Sequence, residues 1–371
     1  MTKIFTSIGL MSGTSLDGVD ASLIQSDGES KLNIMENLYI PYTKSLKFGI
    51  KELKRKINKA ADLKIYQRDI SSLEVEITKL QSQVVEEIIK KNKILKKNID
   101  VIGFHGQTIY HSFENKISKQ LGDGYLLSRL TNLPVVFDFR SKDIEGGGQG
   151  APLSPIFHKL IYDLKNLNFP VVFVNIGGIS NITFIDQNKI INSFDCGPGN
   201  CLTDELIQIK SDNNIDFDKN GEIAFKGSVN EIILENYLDD PFYDLKPPKT
   251  LDTNDFSISI IRGLSLENSI TTLAELTSRT IIDSFNFFNK RPKKIILMGG
   301  GRKNNYFLKR IKELSQIETI KIDQLDFDGD FIESQAFAYF AIRNLLKKPI
   351  TFKETTGVSK PCIGGKLIIL K

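Results

Sequence analysis

Histidine and cysteine are scarce in this chain, at three each among 371 residues (His105, His111, His158; Cys196, Cys201, Cys362). An odd number of cysteines in a long chain argues against a disulfide framework, and ligands so few and so scattered argue against structural zinc. Cys196 and Cys201 read as small buried residues. No uninterrupted apolar run approaches the roughly 18 residues a membrane span needs. The chain runs directly into a short apolar strand with no signal-type apolar region, so a reducing cytoplasm and no membrane partner are expected. Nor is there a basic stripe interleaved with aromatics. The formal charge of +4 comes largely from the lysines of 47–59 and 90–97, with Glu52, Glu86 and Glu87 close by, which is the pattern of a solvated surface and not of a nucleic-acid footprint. Neither G-x-x-x-x-G-K-[ST] nor G-x-G-x-x-G after a strand occurs, so Walker and Rossmann sites are disfavoured. No tandem repeat of about 20 to 50 residues is visible.

What is present is an ordinary globular composition, 40% hydrophobic and 25% charged, in a chain long enough to predict two lobes and a cleft between them. Strands are predicted at 5–10, 20–25, 101–104, 135–138, 171–175, 182–185 and 295–298. Segment 74–95 carries Val75, Ile77, Leu80, Val84, Val85, Ile88 and Ile89 at a period near 3.6, and 266–288 and 334–346 are patterned alike, so long amphipathic helices are predicted there. Strands alternating with such helices make the class α/β. One theme recurs: FTSIGLMSGTSLDGVDASLI and VVFVNIGGISNITFI both read strand, glycine turn, strand, as a hairpin would. The glycine and proline of DFRSKDIEGGGQGAPLSP place the expected lobe boundary near 138–150, giving lobes 1–140 and 141–371.

Three glycine turns carry the first functional expectation. Gly13-Thr14-Ser15-Leu16-Asp17-Gly18-Val19-Asp20 combines backbone that a ligand can approach closely with N–H and hydroxyl groups suited to phosphate oxygens; a plain hairpin turn would need only one glycine or asparagine. Gly177-Gly178 would close on the same phosphates, and Gly299-Gly300 would pack against an adenine. Asp195, in FDCGPGN, is a carboxylate at the end of an apolar run and a candidate general base, or a cap for the helix predicted to start near Asn200. His105 and Gln107 offer an imidazole and an amide to a sugar or carboxylate, or belong to a turn with a half-buried histidine. Arg140 would grip a substrate carboxylate in bidentate fashion, or pair internally with Asp138 or Asp143. Glu333 opens an apolar helix, where the helix dipole alone would account for it.

Taken in order, GLMSGTSLDGVD, GFHGQTIYH, DFRSKDIEGGGQGAPLSP, NIGGISN, FDCGPGN and MGGGRKN resemble the anhydro-N-acetylmuramic acid kinases over residues 8 to about 340. The resemblance implies the two-lobed fold of actin, Hsp70 and sugar kinases (an actin-like, ribonuclease H-like ATPase), with a mixed sheet flanked by helices in each lobe. It also implies a reaction in which ATP and water convert 1,6-anhydro-N-acetylmuramic acid to N-acetylmuramic acid 6-phosphate during reuse of cell-wall sugar, with Mg²⁺ beside the ATP. Carried across, 13–20 resembles the first phosphate loop and Asp195 the catalytic base. Glu333 resembles a glutamate that helps hold sugar and water; Asn200 joins His105, Gln107 and Arg140 at the sugar. A homodimer is a further expectation. The chain departs from the family at Thr253, which stands where many members carry arginine after the Pro247-Pro248-Lys249 segment. An ATP-binding scaffold of the same superfamily, or a glycosidase pairing Asp195 with Glu333, remains the alternative.

Overall fold

The computed structural model describes residues 3–13, 15–188, 191–212 and 214–369. The chain forms two compact units, one reaching to Leu164 and resuming at Phe331, the other Lys165–Asp330. Strands β1 (Phe5–Ser12), β2 (Gly18–Ser26), β3 (Leu32–Pro41), β4 (Val101–Ser112), β5 (Ile117–Leu121) and β6 (Val135–Phe137) lie in the first unit. Strands β7 (Val171–Ile176), β8 (Ile179–Ile185), β9 (Ile191–Pro198), β10 (Lys294–Met298) and β11 (Glu318–Lys321) lie in the second, and β12 (Lys366–Ile368) returns to the first.

The first unit's sheet runs β12-β6-β4-β1-β2-β3, with β5 joined to β4. β1 pairs antiparallel with β2 and parallel with β4, so the sheet is mixed. Every residue of β1 is buried, which requires both faces to be covered. By strand alternation Ile8 and Leu10 point to one face, where they share a core with Ile50 and Leu53 of the helix Lys44–Lys56 and with Ile77, Val84 and Ile88 of the helix Gln67–Asn92. Gly9 faces the other way. There, and at Gly103 on β4, an added Cβ would run into the backbone of the helix Ile332–Leu345, at Ser334, Ala338 and Phe337. These two glycines let that helix lie directly on the sheet. Ser22 Oγ and Ser334 Oγ, 2.7 Å apart, tie it further to β2.

The second unit's sheet runs β11-β10-β7-β8-β9, also mixed: β10 is parallel to β7 and β11, and β8 is antiparallel to β7 and β9. Its core joins Val172, Val174 and Phe194 of the sheet to Leu273 and Ile281 of the helix Leu266–Asp283 and to Phe307 and Ile311 of the helix Asn305–Ser315. The α/β class and the mixed sheet flanked by helices in each unit are as expected. So are both hairpins, β1–β2 and β7–β8, which turn through the first two glycine segments.

The division falls elsewhere than the expected 138–150. That segment stays inside the first unit, because the buried carboxylate of Asp143 accepts the Gly150 N–H at 2.7 Å and the hydroxyls of Thr351 (2.5 Å) and Thr356 (2.7 Å). Its glycines belong to an anchored loop and not to a linker. The residues from Phe331 onward, expected in the second lobe, belong to the first unit, where the bare patches at Gly9 and Gly103 receive their helix.

Candidate active site

In the first unit the first glycine turn joins β1 to β2. Gly13 is half-buried, Ser15 exposed and Leu16 buried with φ near 58°. Thr14 lies outside the described residues. The Asp17 carbonyl accepts the Tyr42 N–H at 2.9 Å, which fixes the far side of the turn, while the exposed Asp17 carboxylate meets Lys47 Nζ at 2.9 Å. Gly18, Val19 and Asp20 already belong to β2, and an added Cβ at Gly18 would collide with the β3 backbone at Ile40 and Pro41. Gly18 is therefore demanded by the sheet. At Gly13 the nearest heavy atom to an added Cβ is Ser15 Oγ, at 3.8 Å, so the fold itself does not require a glycine there.

Gln107 serves this turn. It is fully buried and donates from Nε2 to the Gly13 carbonyl at 3.0 Å. His105, two residues earlier on β4, belongs with a second group. Arg140 donates to His105 Nε2 from Nε (3.2 Å) and Nη2 (3.1 Å), and from Nη1 to the Gly150 carbonyl at 2.7 Å. With Nε2 accepting, the ring proton sits on Nδ1 and points to the Gly106 carbonyl at 3.0 Å. Burial first, and the Arg140 charge second, hold the His105 pKa well below its usual value, so the ring is a neutral acceptor stacked on Phe337. Asp138 binds Ser141 and Lys366, and Asp143 anchors the 146–150 loop. Glu333 opens the helix Ile332–Leu345 close enough to Arg140 to feel its charge. Burial pushes the Glu333 carboxyl above the usual range and Arg140 offsets part of that shift. A half-buried acid with a raised pKa beside a fixed guanidinium is poised to receive a polar ligand.

In the second unit the β7–β8 turn and Asn200 are built as one piece. Asn200 Nδ2 donates to the carbonyls of Ile176 (3.3 Å) and Gly177 (3.0 Å), its own N–H returns to Gly177 O at 2.7 Å, and the Gly199 N–H donates to Gly178 O at 2.9 Å. An added Cβ at Gly177 would come no closer than 3.4 Å to its neighbours. Asp195 lies in β9 opposite Asn181, 7% exposed, and Oδ2 accepts the Leu251 N–H at 2.9 Å. It does not cap the helix Cys201–Lys210, whose N-cap is Asn200. The Asp195 N–H donates to the carbonyl of Lys249 at 3.0 Å, so strand and 249–251 segment hold each other. The ammonium of Lys249 is turned inward, onto the carbonyls of Phe242 and Tyr243 at 3.0 Å each and over the Phe242 and Phe287 rings, and burial lowers its pKa.

The third glycine turn follows β10. Gly299 has φ near 72° and an added Cβ would strike Asn175 and Ile176, whereas Gly300 has nothing within 4 Å. The turn is braced by a residue that the sequence did not flag. Arg302, 3% exposed, donates to the Gly299 carbonyl at 3.1 Å, to both Asp323 oxygens at 2.8 and 3.0 Å, and to Asp330 at 2.7 Å. A basic residue directly after three glycines was the available signal. Each of the three turns therefore carries one glycine, Gly13, Gly177 or Gly300, whose missing side chain serves no packing need.

The chain as a whole is similar to known proteins. The sequence pattern of the family described as anhydro-N-acetylmuramic acid kinase matches residues 5–369. The anhydro-N-acetylmuramic acid kinase of Pelagibacter ubique (strain HTCC1062) is 44% identical over 378 residues, covering 99% of both chains. That of Zymomonas mobilis subsp. mobilis is 39% identical, covering 97% of this chain and 98% of its own. Among solved structures, a ROK family glucokinase from Streptomyces griseus in complex with glucose and AMPPNP aligns with a TM-score of 0.43 at 12% identity, over 91% of this chain and 99% of its own.

Proposed function

Since this chain belongs to the anhydro-N-acetylmuramic acid kinase family and is thus a phosphotransferase with a sugar acceptor, we propose that it phosphorylates 1,6-anhydro-N-acetylmuramic acid at O6 with ATP while water opens the ring. The observation that carries the reading is the set of three glycines whose Cβ positions are open. A fold that gains nothing from glycine at 13, 177 and 300, and loses backbone entropy there, keeps room for something else. Backbone N–H groups at glycine turns suit phosphate oxygens, so the residues present fit ATP. Among the described residues no cluster of three metal-ligating side chains occurs. Mg²⁺ held by one or two carboxylates and the phosphates themselves needs none, and it would neutralise charge on the transferring group.

In this reading Asp195 accepts a proton from water as the water oxygen bonds to the anomeric carbon. The bond from that carbon to O6 breaks, O6 takes the γ-phosphoryl group, and ADP leaves. The Leu251 N–H on Oδ2 fixes the orientation of the carboxylate that would take this proton. Arg140, oriented by neutral His105 and the Gly150 carbonyl, would grip the lactyl carboxylate of the sugar, with Glu333 beside it on sugar or water. Gln107 and Asn200, which the resemblance places at the sugar, also bond the glycine turns, so in this reading they shape the phosphate loops as well. A homodimer and a cytoplasmic address belong to the same reading; sedimentation of the purified protein and localisation of a tagged copy test them.

The deciding experiment incubates the protein with ATP, Mg²⁺ and the anhydro-sugar in heavy-oxygen water. The expected product is the 6-phosphate with the label on the anomeric hydroxyl, read by mass spectrometry. ATP turnover indifferent to the sugar would favour a scaffold ATPase. Ring opening without ATP would favour a hydrolase using Asp195 and Glu333.

A further inference from the structure

The inward face of the helix Gln67–Asn92 is aliphatic at Ile77, Val84, Val85, Ile88 and Ile89, yet a glutamine, Gln81, sits within that face and is fully buried. Its Nε2 donates to Ser12 Oγ at 3.2 Å, while its Oε1 is buried with no partner among the described residues. A buried amide with a bare carbonyl oxygen costs stability that an aliphatic residue of the same length would not. Packing therefore does not explain Gln81. Its aim does: Ser12 ends β1 and precedes Gly13, and the β1–β4 ladder shifts register between Leu10 and Ser12, so the pairing is irregular just where the turn begins. Beside that irregularity sit two buried amides. Gln81 holds Ser12 by its hydroxyl and Gln107 holds Gly13 by its carbonyl, and Gln107 too has its Oε1 buried with no partner among the described residues.

We propose that Gln81 is a positioning residue that fixes the entry of the 13–20 phosphate loop through Ser12, at the expense of core stability. This rests on the reading of that loop as an ATP phosphate site. Gln81 touches no reacting atom; it sets the angle at which the turn leaves the strand. Its signature is therefore a change in ATP affinity without a matching loss of fold.

The test compares Gln81→Met, Ser12→Ala and the double variant with the parent, with Gly13→Ala as a reference that probes the loop directly. Each is measured for kcat, for KM toward ATP and toward sugar, and for its thermal unfolding midpoint. Gln81→Met should unfold at or near the parent temperature and show KM for ATP raised about tenfold, the worth of one hydrogen bond, with sugar KM and kcat nearly unchanged. Ser12→Ala should match it, and the double variant should add little, since both remove one contact. If Gly13→Ala raises KM for ATP and Gln81→Met does not, Gln81 is a packing residue and the proposal falls. A fall in stability with unchanged kinetics overturns it as well. If Gly13→Ala is also without effect, the loop reading itself fails. Should Gln81→Met not fold, Ser12→Ala decides alone, and an unchanged KM for ATP overturns the proposal.

Discussion

At the scale of single residues, the proposed chemistry rests on two carboxylates. Asp195 is anchored through one oxygen by the Leu251 N–H, so Asp195→Asn keeps an acceptor for that bond and should fold as the parent does. An amide cannot take a proton from water, and turnover should drop about a thousandfold, the range for a lost general base, while nucleotide still binds in a calorimetric titration. Activity near the parent's would remove Asp195 from the role. Glu333 is pushed up by burial and partly pulled back by Arg140. If its ionised form holds substrate, the acid limb of kcat/KM lies above the ordinary carboxylate range. Arg140→Gln removes the offsetting charge and should carry that limb to still higher pH, alongside a lower rate. A limb that stays put, or moves down, would separate Glu333 from the titration. The side-chain types at these positions were legible in sequence, because glycine turns and lone carboxylates at strand ends stand out. Their partners were not. That Arg140 turns to His105 and Gly150 depends on long-range packing, including where Thr351 and Thr356 close over Asp143 and so place the Gly150 loop.

At the scale of elements, the strands and long helices with one unbroken period were legible, and the elements whose signal is diluted were not. The segment 47–59 reads as a solvated lysine run, yet Leu46, Ile50, Leu53 and Ile57 are buried at spacings of three and four, so a helix, Lys44–Lys56, lies under the charge. β3 alternates poorly because it is only half-buried along most of its length. β12 is three residues long, too short for any period. The return of the helix Ile332–Leu345 to the first sheet was invisible for a further reason: its docking is written in what Gly9 and Gly103 lack, and an absent side chain leaves no pattern. That docking is measurable. Gly9→Ala or Gly103→Ala forces a methyl group into helix backbone that cannot move aside as a side chain would, and each should cost roughly 1–3 kcal/mol, or more, in urea unfolding. Gly300→Ala, with nothing within 4 Å of the added atom, should leave stability within about 0.5 kcal/mol of the parent. Equal costs at all three positions would contradict the packing described.

At the scale of the whole molecule, the histidines are unevenly shared: all three lie in the first unit and none in Lys165–Asp330. Burial lowers the pKa of His158 to about 3 and helps hold that of His105 well below its usual value. A depressed folded pKa means the unfolded chain binds the proton first, so each histidine contributes stability that is full above about pH 6.5 and is lost as pH falls toward its folded value. For His158 the whole effect is on the order of 5 kcal/mol, reached only near pH 3. Glu333, in the same unit, works the other way, since a raised acid gains stability as pH falls, but it is one group against two. In the second unit, burial raises the carboxyls of Glu275, Asp323 and Asp330, yet bonds from Arg310 and Arg279, or from Arg302, outweigh it and the net shift is downward. Their contribution persists until pH falls below the ordinary carboxylate range. Asp218 and Asp283 are raised by burial and gain as pH drops. Moving from pH 7.5 to 5 should therefore loosen the first unit and spare the second. Hydrogen exchange read by mass spectrometry, corrected for the intrinsic pH dependence of exchange, should show protection falling in β1, β4 and the helix Ile332–Leu345 while β7 and β10 keep theirs. In His158→Phe the loss in the first unit should shrink, because one of the two proton uptakes is gone. An equal loss in both units, or one unchanged by His158→Phe, would place the acid sensitivity elsewhere than in the buried imidazoles.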